Sequence, residues 1–215
     1  MWIPGCGILK ENGYNAVRSS HYPCSKAMLD ACDELGMYVM DETYDYWLIH
    51  KNPYDHGGET VQKWWKEDTG AMIRKDYNHP SVVMYSIGNE ISELGIAEGQ
   101  ELCAQMSAYV KTMDSSRAVT CGINLMLASM AAKGKGLYGK KEDGKENTNG
   151  SAGMDNVPTS TFYNILMNKM GGVIDHMAAT KGADKVADAI SSGLDVMGYN
   201  YATSRYKKEY KMHPE

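Results

Sequence analysis

No apolar run approaches the ~18 residues needed to cross a bilayer, and the opening Met1-Trp2-Ile3-Pro4-Gly5 carries no basic segment leading into an apolar core. No membrane partner and no signal peptide are therefore expected, and the location expected on those grounds is cytoplasmic. The five cysteines (Cys6, Cys24, Cys32, Cys103, Cys121) contain no CxxC pair. Their odd number and scatter suit free, packed thiols in a reducing compartment. The six histidines contain no HxxxH pair, and neither His21 nor His79 has a second ligand nearby in sequence, so no metal site is expected. A net charge of −5 supplies no excess of positive charge for nucleic acid.

What remains is an ordinary globular composition over 215 residues, 43% hydrophobic and 23% charged, enough for one large domain. The most informative stretch is Ser81 to Glu90, S-V-V-M-Y-S-I-G-N-E. Val82, Val83, Met84 and Ile87 after Pro80 predict a buried strand, which Gly88 is expected to break. Asn89 and Glu90 then stand at its C-terminal end, where a parallel α/β sheet or barrel does its chemistry. A carboxylate at the mouth of an apolar strand is a setting for a general acid. From these residues alone, an Asn-Glu pair that merely caps the next helix serves equally well.

The rest of the chain repeats that placement. Helix up to Gly13, strand 14–18 and helix from the N-cap Ser25 to Gly36 come first. Met37 to Met40 forms the next strand, ending in Asp41 and Glu42, and an aromatic loop with Tyr44, Tyr46 and Trp47 follows. A helix over 59–77, the strand at 82–87, a helix over 96–112 and a strand at 118–121 halted by Gly122 continue the alternation. Lys133 to Gly153 lacks apolar periodicity and reads as a mobile surface loop. Helical character returns over 158–192, then Asp195 to Tyr199 forms a fifth strand before Asn200 and Tyr201. The tail from Arg205 is basic and tyrosine-rich, with Lys207-Lys208 expected at a solvated surface. Trp64 and Trp65 read as helix packing. Every strand ends in polar or aromatic residues, the arrangement of a (β/α) barrel's active face.

Four ordered blocks then bear a family resemblance: G-Y-N-A-V-R-S-S-H-Y-P (13–23), L-D-A-C-D-E-L-G-M-Y-V-M-D-E (29–42), N-H-P-S-V-V-M-Y-S-I-G-N-E (78–90) and D-V-M-G-Y-N-Y (195–201). They resemble the TIM-barrel catalytic domain of glycoside hydrolase family 2, the β-galactosidase and β-glucuronidase family; residues 123–194 match it poorly. The resemblance implies an α/β fold with parallel strands. It implies a retaining exo-β-glycosidase domain, acting on β-linked oligosaccharides or glycosides without a cofactor. Glu90 is then similar to the family's acid/base and Asn89 to the residue bonding the sugar 2-hydroxyl. Arg18 resembles the arginine beside the nucleophile, His21 a sugar-contacting histidine and Asp41 a site carboxylate. Trp47 would serve as a stacking platform for a pyranose. Tyr199 and Tyr201 would lie on the strand before the one bearing the nucleophile.

The family's second glutamate, in a block resembling G-S-E, has no counterpart here. The chain thus reads as about five βα units of an eight-unit partial barrel, residues 1–215 forming a single domain. Glu215 has no strand around it to serve as nucleophile, so these residues alone are expected to be inactive. A barrel so opened would expose sheet edges, and a homo-oligomer is expected. Two other readings stand beside this one: a non-catalytic carbohydrate-binding barrel, and another barrel glycosidase such as a β-mannanase. The S-S-H-Y-P block disfavours the latter.

Overall fold

A computed structural model describes residues 2–51, 58–135, 168–173 and 175–212. Its helices include α1 (Trp2–Glu11), α2 (Lys26–Leu35), α3 (Gly58–Asp76), α4 (Ala97–Met113), α5 (Leu125–Ala131), α6 (Lys181–Ser191) and α7 (Tyr206–Met212). Between them run β1 (Ala16–Arg18), β2 (Tyr38–Glu42), β3 (Val82–Asn89), β4 (Ala118–Ile123) and β5 (Val196–Tyr199). The strands form one sheet in sequential order, every neighbouring pair parallel. Parallel neighbours need a long crossover, and α2, α3, α4 and α6 fall between successive strands. The result is a partial (β/α)8 barrel of five strands.

The local signals explain the elements. Ser25 caps α2 by accepting from the Met28 amide at 3.2 Å, and Gly36 ends it in the left-handed region at φ 65°. Leu29 and Cys32 from α2, Met72 and Ile73 from α3, and Met106 and Val110 from α4 are buried in the layer behind the sheet. Val39, Tyr85 and Val119 face them from the strands. On the opposite, inner face Met40 and Met84 are only partly buried. In α3, Trp65 packs edge-on against Tyr109 at 5.5 Å, whereas Trp64 is exposed.

Two glycines expected to break strands do not. Gly88 stays within β3 and Gly122 within β4, at positions where neighbours leave no room for a side chain. A Cβ on Gly88 would stand 2.9 Å from the Trp47 indole nitrogen, and one on Gly122 would stand 2.6 Å from the Arg18 guanidinium. Helix α5 has no polar face to announce it, since Leu125 to Ser129 are all buried. The basic tail holds helix α7, and Lys208 is not free in solvent: its ammonium bonds Asp184 at 2.6 Å. Residues 136–153 of the expected surface loop, Phe162, Ile165 and Leu166 of the expected helix, and Glu215 lie outside the described residues.

A 3-10 turn, Ser92–Gly95, packs on α5 so closely that a Cβ on Gly95 would run into the Ala128 carbonyl. Gly95→Ala is expected to cost about 2–3 kcal/mol in urea unfolding. Gly182→Ala, where the nearest atom to an added Cβ is 3.8 Å away, should instead be neutral or stabilising by up to ~1 kcal/mol.

Candidate active site

The pleat decides which side chains reach the inner face. Arg18 pairs in register with Met40, and Glu42 with Ser86, so these four share a face. Glu42 is fully buried, and a carboxylate in that position must be matched by donors. Arg18 donates to its Oε2 from Nε at 2.9 Å and from Nη2 at 2.6 Å, and Ser86 Oγ donates to the same oxygen at 2.6 Å. His21 Nδ1 lies 2.7 Å from the other oxygen, Oε1. The flat surface of Gly122 lets the guanidinium lie against β4.

Arg18 Nη2 also donates to Asn89 Oδ1 at 3.0 Å, linking this cluster to the end of β3. Asn200 Nδ2 donates to the same amide oxygen at 3.1 Å, while Asn89 Nδ2 donates to Asp45 Oδ1 at 2.9 Å. Burial pushes the Asp45 carboxyl up, but the Lys51 charge and the Asn89 bond outweigh it and hold the group below the usual range. Glu90 follows at φ 50° and donates its amide to Gly122 O at 2.6 Å. A left-handed backbone costs an L-residue roughly 1–2 kcal/mol, so its neighbours must enforce it. The Glu90 carboxylate accepts from Asn200 Nδ2 at 3.0 Å on Oε1 and from Asn124 Nδ2 at 3.2 Å on Oε2. Asn124 can present only that nitrogen, because its Oδ1 caps α5 through the Leu127 amide. Burial and the Glu90 carboxylate together push the Tyr201 phenol up. Acid, amide, guanidinium and imidazole thus join in one hydrogen-bonded chain at the C-terminal end of the sheet.

The model of the glycosyl hydrolases family 2 TIM barrel domain matches residues 5–135. The chain belongs to glycosyl hydrolase family 2. It is 35% identical over 148 residues to the beta-galactosidase BoGH2A of Bacteroides ovatus, a match covering 54% of this chain and 17% of that protein. Over 113 residues it is 33% identical to the beta-glucuronidase of Canis lupus familiaris, covering 53% and 17% respectively. The crystal structure of a family 2 member from Bacteroides cellulosilyticus DSM 14838 is similar over 100% of this chain and 20% of that one, at 32% identity and a TM-score of 0.64. The chain therefore spans about a fifth or less of these relatives.

Of the residues expected from the family pattern, the structure brings Arg18, His21, Asn89, Glu90 and Tyr201 together. It does not bring Asp41, Trp47 or Tyr199 to them. Asp41 points through the sheet to the helix side, where it accepts from Ser19, from the Cys24 amide at 2.9 Å and from Lys75 at 2.9 Å. It is one residue out of phase with Arg18, and Glu42 takes the inner position instead. Trp47 is fully buried with its indole donating to Ile87 O at 3.0 Å, so it offers no open face to a sugar ring. Tyr199 donates to Glu209 Oε1 at 2.8 Å beneath the Arg205 guanidinium. Asp45, Lys51, Asn124 and Asn200 were not anticipated as site residues. For Asn200 the signal was its place beside Tyr201 at a strand end.

Behind the site, Asp41 shares its pocket with Asp76 and Lys75. Burial first, then the Asp41 charge, push Asp76 up to about 7, while Asp41 stays below the ordinary range because its donors outweigh burial. A carboxyl raised in the fold holds its proton longer there than in the unfolded chain, so its contribution to stability falls as pH rises from 3.8 to about 7. Asp76→Asn should therefore become progressively more stable than the wild type over that range, as read by urea midpoints at pH 5, 6, 7 and 8. Asp41→Asn should be less stable than the wild type at neutral pH.

Proposed function

We propose that these residues form part of the active site of a retaining β-glycosidase, with Glu90 as general acid/base. The supporting observation is the Glu90 carboxylate, turned into the bowl by a left-handed backbone and gripped on each oxygen by a side-chain amide, beside an asparagine already aligned. In the first step protonated Glu90 gives its proton to the glycosidic oxygen as the bond to the anomeric carbon breaks and a second carboxylate bonds that carbon. In the second, ionised Glu90 takes a proton from water, whose oxygen displaces the carboxylate and releases the sugar. Asn89 uses one Nδ2 hydrogen on Asp45, which leaves the other to strengthen its bond to the sugar 2-hydroxyl in the oxocarbenium-like transition state.

Among the described residues, the carboxylates nearest this chain of contacts are committed. Glu42 is buried on Arg18, His21 and Ser86, and Asp45 holds Lys51. Neither is free to attack, so the nucleophile is supplied by a residue outside the described set. Among the described residues, the two cations in this chain of contacts are committed as well. Arg18 rests on Glu42 and Lys51 on Asp45, which leaves neither for the carboxylate of a uronic acid. A neutral glycoside, of the β-galactoside type, fits this balance better than a glucuronide.

The isolated chain should turn over no 4-nitrophenyl β-galactoside, and turnover that Glu90→Gln abolishes would overturn the assignment of the nucleophile. Set in a full-length family 2 scaffold, the chain should hydrolyse the galactoside in preference to the glucuronide. There Glu90→Gln should lower kcat by roughly 10²- to 10⁴-fold, with added azide restoring turnover of the activated substrate. A Glu90→Gln scaffold that keeps its full kcat removes the acid/base role.

A further inference from the structure

The loop from Thr43 to Lys51 is fastened to β3 and its following turn along most of its length. The Thr43 amide donates to Ser86 O at 3.0 Å, and Tyr44 O accepts from the Asn89 amide at 3.0 Å. The Trp47 indole donates to Ile87 O, and the amides of Leu48 and Ile49 both donate to Glu93 Oε1 at 2.8 Å. Glu93 is buried and steadied by Ser92 Oγ at 2.9 Å. The loop would be held in place by these bonds alone.

Lys51 adds something they do not. Its ammonium donates to Asn89 O at 2.6 Å, the carbonyl of the peptide that leads into Glu90, and to Asp45 Oδ1 at 3.0 Å. Asp45 Oδ1 in turn accepts from the Asn89 side-chain amide. One cation and one carboxylate therefore hold both ends of Asn89, its backbone carbonyl and its side-chain nitrogen. The Lys51 side chain is only 11% exposed, and an ammonium withdrawn from water in this way requires such partners.

We infer that Asp45 and Lys51 are a positioning pair, resting on the acid/base reading of Glu90: they fix the rotation of the Asn89 amide and the left-handed turn from which Glu90 projects. Neither residue transfers a proton or bonds the substrate in this role. Lys51 acts on the peptide plane before Glu90, and Asp45 acts on the amide that would meet the 2-hydroxyl.

Amide exchange on the chain itself tests the pair without any turnover, so a failed glycosidase assay and a failed positioning role are separate results. In Lys51→Met the Glu90 amide, which donates to Gly122 O, should exchange about tenfold faster or more by ¹⁵N NMR, and the Asn89 side-chain resonances should move. The amides of Tyr85 and Ile87 should exchange at the wild-type rate, and Lys51→Arg should restore the Glu90 amide. Asp45→Asn gives a second arm if Lys51→Met does not fold, with the same displacement of the Asn89 side-chain resonances. Acceleration of all amides alike, or unchanged Glu90 and Asn89 signals, would show that the pair only closes the loop and would overturn the inference.

Discussion

Everything at the C-terminal end of this sheet leans on the contact between the half-buried Arg18 and the fully buried Glu42. Glu42 is shut off from solvent, so its charge is tolerable only because a guanidinium, a hydroxyl and an imidazole surround it. Removing Arg18, whose side chain is 30% exposed, would strand the buried Glu42 carboxylate at a cost below the ~3–5 kcal/mol typical of a fully buried pair. Here the loss would spread further. Arg18 is the only described side chain that touches Glu42 on β2, Asn89 on β3 and the bare backbone of Gly122 on β4. The first strand thereby shares, with Asp45 and Asn200, in how the third presents its amide.

The second consequence is a division of labour between two carboxylates adjacent in sequence. Pleating sends Glu42 into the bowl and Asp41 into the helix layer, so one serves the site and the other ties β2 to Lys75 of α3. The two clusters meet at the Glu42 amide, which donates to Ser19 Oγ at 3.0 Å and to Asp41 Oδ1 at 3.1 Å. The same alternation puts Tyr85 on the outer face, bonded to Asp114, and Ser86 on the inner face under Glu42.

Much of the architecture was legible in the residues. Ser25 and Gly36 bracket α2 because capping is local chemistry, and the β-branched runs mark their strands for the same reason. What escaped depends on neighbours distant in the chain. Gly88 and Gly122 look like breakers until Trp47 and Arg18 occupy the space beside them. Helix α5 carries no period because it is enclosed on all sides. At the site, Arg18, His21, Asn89 and Glu90 could be named from their blocks, but the choice of Glu42 over Asp41 turns on a single residue of strand phase. Trp47 was misplaced because an aromatic in a loop looks available until its burial is known. Asn124 became visible only as a donor to a carboxylate 34 residues away, and the strand-end place of Asn200 gained its meaning from the same carboxylate, 110 residues away.

Asn200 carries a further implication, for the order in which the molecule becomes competent. One amide nitrogen at the end of β5 touches both Asn89 and Glu90, more than a hundred residues upstream. The pairing of β1 to β4 does not use that nitrogen, so with those strands alone Glu90 has one of its two amide ligands. A half-assembled chain would therefore carry its acid untethered on one oxygen. Pairing of β5 with β4 brings that second amide to the Glu90 carboxylate.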